Sequence, residues 1–241
     1  MIPFFRKIRK KMADDNRPLK YARYAIGEII LVVIGILIAL QINTWNEERK
    51  EKNKANIYTD KLINDIVQDT ININKLIEIG NKRTADIEAY FTYFSKGGQS
   101  IDVYIDKSYK VRSTFFRFQP MNYTFEDMKS SGNLSLLTEG QRRSLMELLN
   151  LQKQLQLIIE KLISGTLEYH HESNKHLDIY NTDFDYYKVL GIDLSNKEKE
   201  KGLLARHHAF DQLLDFYTFM NSYGTKIKQK SKVTIELLES H

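Results

Sequence analysis

The chain has 241 residues, no cysteine and a formal net charge of +5. The absence of cysteine excludes a disulfide scaffold and thiolate chemistry. The positive charge does not mark a nucleic-acid binder, because it sits at one end. Residues 1–24 carry Arg6, Lys7, Arg9, Lys10, Lys11, Arg17, Lys20 and Arg23 against Asp14 and Asp15, a net of +6 that leaves −1 for the rest.

A near-neutral body on a basic tail is a membrane-orientation pattern, since Lys and Arg are retained on the cytoplasmic side. The tail MIPFFRKIRKKM spaces Phe4, Phe5, Ile8 and Met12 helically among its cations. That suits either a short helix on anionic headgroups or a disordered basic retention signal. Asn16 and Pro18 read as the cap and first turn of the next helix.

From Ala25 to Trp45 the sequence is AIGEIILVVIGILIALQINTW. As a helix this segment rises about 31 Å, enough to cross the hydrocarbon core of a bilayer. A cleaved signal peptide would have a shorter apolar region followed by a small-x-small site. Here the run ends Ala39-Leu40-Gln41-Ile42-Asn43, which predicts an uncleaved signal anchor. Tyr21 and Tyr24 at one end and Trp45 at the other are the expected interface anchors. Arg49, Lys50, Lys52 and Lys54 flank the far side, but long domains translocate largely regardless of charge. The predicted topology is amino terminus inside and carboxyl terminus outside.

Beyond the span, no Pro or Gly occurs until Gly80, and Leu62, Ile63, Ile66, Val67, Ile73, Leu76 and Ile77 recur in steps of three and four. The helix is expected to continue out of the bilayer, with the effect of Gly80 left open. Ile87, Tyr90, Phe91 and Phe94 keep the period until Gly97-Gly98 stops it. Residues 99–123 read as irregular and aromatic-rich, with no strand. Thr124 with Asp127 suggests a capped short helix over 125–131, stopped at Gly132. Thr138 with Gln141 forms a capping box for a long helix carrying Leu145, Leu148, Leu149, Leu155, Ile159, Leu162, Ile163 and Thr166. Residues 179–196 read as a loop with aromatic plugs. A third long helix begins near Asn196, with Leu203, Phe210, Leu213, Leu214, Tyr217, Ile227 and Leu238 on its stripe and Gly224 as an interruption. Three such stripes need one another for burial. The predicted fold is therefore all-α: a single N-terminal transmembrane helix followed by an elongated antiparallel helical bundle. Its regions are a basic cytoplasmic tail (1–24), the span (25–45) and an exported bundle domain (46–241).

The run YAIGEIILVVIGILIALQINTWNEERK, behind FFRKIRKKM, and the later SSGNLSLL from Ser130 to Leu137 resemble an uncharacterised family of single-span membrane proteins of Bacteroidota, especially flavobacteria. The two matches cover roughly a fifth of the chain. The resemblance implies a protein of the bacterial inner membrane whose C-terminal domain is periplasmic. It implies no activity, cofactor or catalytic residue.

Glu28 lies about one turn inside the apolar run, where an acid is costly and a functional candidate. On a helix it aligns with Val32, Gly35, Ala39, Ile42 and Asn46, and Gly35-x-x-x-Ala39 is a small-xxx-small pair. Three readings are open. This face is an association seam with Glu28 bonded to a partner helix; or Glu28 is a proton carrier in an ion-driven complex; or it snorkels toward Arg23 or Lys20. His170, His171, Glu172 and His176 cluster, with His207 and His208 as a second pair, but His171 and His176 are five apart rather than the four of HExxH. Solvated or capping histidines are the expectation, with no metal and no cofactor. No GxSxG turn or phosphate-binding loop occurs. The aromatics of 104–123 are expected to plug the end of the bundle core.

The leading expectation is a non-enzymatic, membrane-anchored interaction or accessory protein. Its partners would be the lipid bilayer and, through the span, a second copy or another membrane protein. The alternatives are a periplasmic ligand-sensing module acting through a partner, and a single-span subunit of an ion-driven complex.

Overall fold

The computed structural model describes residues 18–177, 190, 191 and 194–240, with side chains from Tyr21 onward. The tail motif with its Asn16 cap and most of the 179–196 loop lie outside the described residues. Among the described residues, five α-helices follow in order: α1 (Pro18–Phe94), α2 (Ile101–Tyr109), α3 (Tyr123–Ser130), α4 (Glu139–His176) and α5 (Asn196–Glu239). A 3-10 turn at Asn133–Leu136 precedes α4, and no strand occurs among the described residues. The all-α expectation holds. The chain divides into two compact units, with the boundary between Asn56 and Ile57.

In the first unit, α1 is apolar and outward-facing throughout the span: Leu31, Ile36 and Leu40 are all more than 60 % exposed. It is long and apolar enough to cross a membrane, and none of its most apolar stretch is buried by the protein.

In the second unit, α1 passes Gly80 without a break. Gly80 faces α5 there: a Cβ on it would sit 3.4 Å from Tyr217 Cδ1, an ordinary van der Waals contact. The helix ends at Phe94, where Gly97 and Gly98 take φ of +64° and +81°. These left-handed values cost little only for glycine. Gly97 N–H donates to the Phe94 carbonyl at 3.1 Å, satisfying one terminal acceptor.

α4 begins at the expected capping box. Gln141 N–H donates to Thr138 Oγ1 at 3.3 Å, and Thr138 N–H donates to Gln141 Oε1 at 2.9 Å. Its buried stripe runs through Leu145, Leu148, Leu155, Ile159, Ile163 and Thr166. The helix continues ten residues past Thr166, longer than the stripe implied. α5 starts where expected, with Ser195 Oγ accepting from Glu198 N–H.

Cross-helix pairs fix the register. Along α5, Gly224 meets Ile73 and Ile77, Tyr217 meets Gly80, and His207 meets Tyr90. On its other side, Leu237 meets Gln141, Thr234 meets Ser144, and Glu198 meets His176. α5 is thus antiparallel to both α1 and α4, so α1 and α4 run the same way. Residues 95–138 carry the chain back between them. A single core joins all three helices, including Ile73, Ile87, Leu145, Leu155, Phe210, Leu213 and Ile227, each at most 2 % exposed.

The return segment departs from the sequence reading in three places. Residues 101–109 are a helix, not irregular chain: Tyr104 and Ile105 are buried against Leu177 and Leu203, and Ser108 is also buried. Residues 111–122 do not plug the end of the bundle but run along its side. Phe115 and Phe116 contact Phe216, Phe118 is 3 % exposed, and Tyr217 Oη donates to the Thr114 carbonyl at 2.9 Å. α3 starts at Tyr123, so Thr124 is inside it rather than capping it. The Thr124 N–H instead donates to Asp65 Oδ2 of α1 at 3.3 Å, a cap supplied from another helix. Gly132, at φ +74°, ends the short helix as anticipated.

Candidate functional site: an outward span face and a polar bundle interior

In the span, helical spacing places Glu28, Val32, Gly35, Ala39 and Ile42 on one stripe of α1. Val32 and Ile42 are 55 % and 60 % exposed, and Glu28 is half-buried. A Cβ on Gly27 or Gly35 would meet nothing within 4 Å, so the backbone there is open to close approach. Tyr21 and Tyr24 at one end and Trp45 at the other are exposed, and the Arg49 guanidinium lies 5.9 Å from the Trp45 ring centroid. Thr44 Oγ1 donates back to the Leu40 carbonyl at 3.0 Å, removing one free hydroxyl from the apolar surroundings.

The bundle interior holds polar side chains that break the apolar stripes. Asp69 of α1, 1 % exposed, lies between Ile66 and Ile73. It accepts from the Met121 N–H at 2.8 Å and from Gln152 Nε2 at 2.9 Å. Burial pushes its carboxyl above the ordinary carboxylate value, while the two donors pull it back. One carboxylate thereby ties α1, α4 and the return segment together.

Arg206 of α5 is 3 % exposed, between Leu203 and Phe210. Its Nη2 donates to the Ser108 carbonyl at 3.0 Å, and its guanidinium lies 4.6 Å from the Tyr109 ring and 5.6 Å from Phe210. Nε and Nη1 are buried without a hydrogen-bond partner among the described residues. Burial lowers its pKa to about 10, which still leaves it charged at neutral pH. Losing one partner of such a group is costly, because the charge stays buried.

The histidines separate rather than converge. His207 faces α1, where Nε2 lies 2.7 Å from Tyr90 Oη and the ring packs edge-on against Phe94. His208 faces Tyr169 of α4. His170 packs edge-on against Phe115, and its Nε2 is buried without a partner among the described residues. His176 Nδ1 lies 2.6 Å from Glu198 Oε2 and joins the ends of α4 and α5. Burial lowers His170 and His207 to about 4 and raises Tyr90 to about 12. The Tyr90–His207 pair is therefore neutral at neutral pH and acts as an interhelical tie. Among the described residues, no three His, Asp or Glu side chains are grouped to hold a metal ion.

Sequence reasoning singled out the span face and missed Asp69, Gln152 and Arg206. The signal was present: each occupies a core position in an otherwise apolar stripe, and a polar residue there must find a buried partner.

Residues 28–90 match a family of unknown function (DUF6090). The match begins at Glu28 and takes in the rest of the span and most of the first bundle helix. No curated protein and no solved structure matches the chain.

Proposed function

We propose that the protein is a non-enzymatic, membrane-anchored interaction or accessory protein. In this reading the span sits in the inner membrane of a bacterium of the Bacteroidota, the basic tail is cytoplasmic and the helical bundle is periplasmic. The span then associates, through Glu28, Val32, Gly35, Ala39 and Ile42, with a second copy or with another membrane protein. One observation carries this reading. The three bundle helices cover their apolar stripes within the chain, whereas the stretch around Gly35 is wholly uncovered. An apolar helix of that length needs lipid, another helix or both around it.

Topology is the first test. Protease added to intact spheroplasts cuts the bundle and leaves the amino-terminal tail protected, because a short tail of net +6 resists translocation. Protection of the bundle would invert the assignment. Recovery in mild detergent then separates self-association from a second membrane protein.

A further inference from the structure

We infer that the groove between α1 and α2 binds a multiply charged phosphate group, carried by a small soluble molecule or by a lipid headgroup. The groove is shallow and open to solvent, with a volume of about 570 Å³. Lys82, Arg83, Lys107, Lys110 and Arg112 line it against one acid, Asp86.

Internal pairing leaves most of that charge uncompensated. Arg83 Nη1 donates to Asp86 Oδ2 at 3.1 Å, and Lys110 pairs outside the lining with Asp106 at 2.8 Å. Lys82, Lys107 and Arg112 form no ion pair among the described residues, and all three are exposed. Lys107 lies 5.4 Å from the Tyr93 ring, which holds its ammonium over the groove wall.

The walls are held in place. Tyr90 lines the groove, and its Oη is fixed by His207 at 2.7 Å. α2, which carries Lys107 and is followed directly by Lys110, is pinned from behind by Arg206 through the Ser108 carbonyl and the Tyr109 ring. Arg206 also adds a buried positive charge of its own. Phosphate suits this arrangement better than a single carboxylate: a phosphate monoester carries nearly two charges at neutral pH and several acceptor oxygens. Arg supplies paired donors to such oxygens, and Lys supplies point charges.

The test is calorimetric titration of the full chain in neutral detergent. Inorganic pyrophosphate serves as the soluble probe and a short-chain phosphatidic acid as the lipid probe, with short-chain phosphatidylcholine as the neutral control. At least one phosphate probe binds saturably, weakens with added salt and ignores the neutral lipid. The Lys82→Glu/Arg112→Glu variant loses roughly tenfold or more in affinity. A Lys153→Glu/Lys161→Glu variant, with the same charge change on the exposed side of α4, keeps it. Pyrophosphate binding names a soluble ligand, and binding of phosphatidic acid alone names a headgroup. Absence of binding by both probes, or equal loss in both variants, overturns the assignment; unchanged circular dichroism certifies that the groove variant is folded.

Discussion

Glycine in the span and glycine in the bundle face opposite surroundings. A Cβ on Gly35 would meet nothing within 4 Å, while one on Gly224 would lie 2.9 Å from Ile77 Cδ1, and one on Gly202 2.5 Å from Leu177 Cγ. The bundle has used its small residues to bring its own helices together. The span has not, so its open face is available to lipid or to another helix. Within the bundle, Asp69 is satisfied by donors from two other segments.

The sharpest way to break that contrast is a charge in each region. Leu155→Asp buries a carboxylate at a position 1 % exposed and is expected to cost about 4 kcal/mol or more, enough to unfold the bundle. Ile36→Asp in the span, at 62 % exposure, leaves the melting of the bundle unchanged. Circular dichroism melts of both variants decide; equal melting temperatures would show that the core described here is not the source of stability.

Glycine replacement is the next largest effect. Gly202→Ala places a methyl 2.5 Å from Leu177 Cγ and 2.8 Å from His176 Cβ, neither of them a free side-chain end. Overpacking of about 1–3 kcal/mol outweighs the gain of up to ~1 kcal/mol from replacing helical glycine by alanine. Gly224→Ala presses mainly on Ile77 Cδ1, the far end of a flexible side chain, so the two effects nearly cancel. Gly35→Ala leaves bundle melting unmoved. Denaturant midpoints rank the three, and a Gly202→Ala variant as stable as the parent contradicts the packing at the α4–α5 junction.

Acid gives a smaller, signed effect. His170 and His207 are held near 4 in the fold against an ordinary value of 6.5. Over that window the unfolded chain takes up protons that the folded chain refuses, so stability is lost as pH falls from about 6.5 toward 4. Asp69 acts with the opposite sign: protonation relieves its buried charge as pH falls through its raised value. A His170→Gln/His207→Gln variant is expected to show a flatter decline in melting temperature over this window. An unchanged slope would place the acid sensitivity elsewhere. Smallest is Gln141→Ala, which removes half of the capping box and the bond to the Leu237 carbonyl, at about 1 kcal/mol. A melting temperature equal to the parent's would remove the cap from the account of α4.

Local signals in the sequence located what local physics determines. Thr138 caps the helix that follows it, and Gly97-Gly98 and Gly132 stop the helices before them; the Ser195 cap of α5 went unread. The apolar stripes of α1, α4 and α5 were readable from their period. The return segment was harder because its determinants lie elsewhere in the chain. α3 takes its N-terminal acceptor from Asp65 of α1, and residues 111–122 are held by hydrogen bonds with Tyr217, Gln156 and Asp69. α2 spaced Ile101, Tyr104, Ile105 and Ser108 as a helix does, but nine residues without a side-chain cap gave a weak signal. The meeting of Gly80 with Tyr217 likewise joins residues 137 positions apart in the chain. The alignment of Glu28, Val32, Gly35, Ala39 and Ile42 along one helix was legible because it follows from spacing alone. The partners of Asp69 and Arg206 depend on which helices meet.

Association of the span is measured most directly between differently labelled full-length chains by energy transfer in a bilayer. Gly35→Ile and Ala39→Ile, on the face with Glu28, Val32 and Ile42, are expected to abolish most of the transfer, because close backbone approach needs small side chains. Ile34→Ala and Ile38→Ala, on the opposite face, are expected to leave it intact. Equal transfer in all four variants, or loss only from the Ile34/Ile38 face, would contradict association through the Glu28 face.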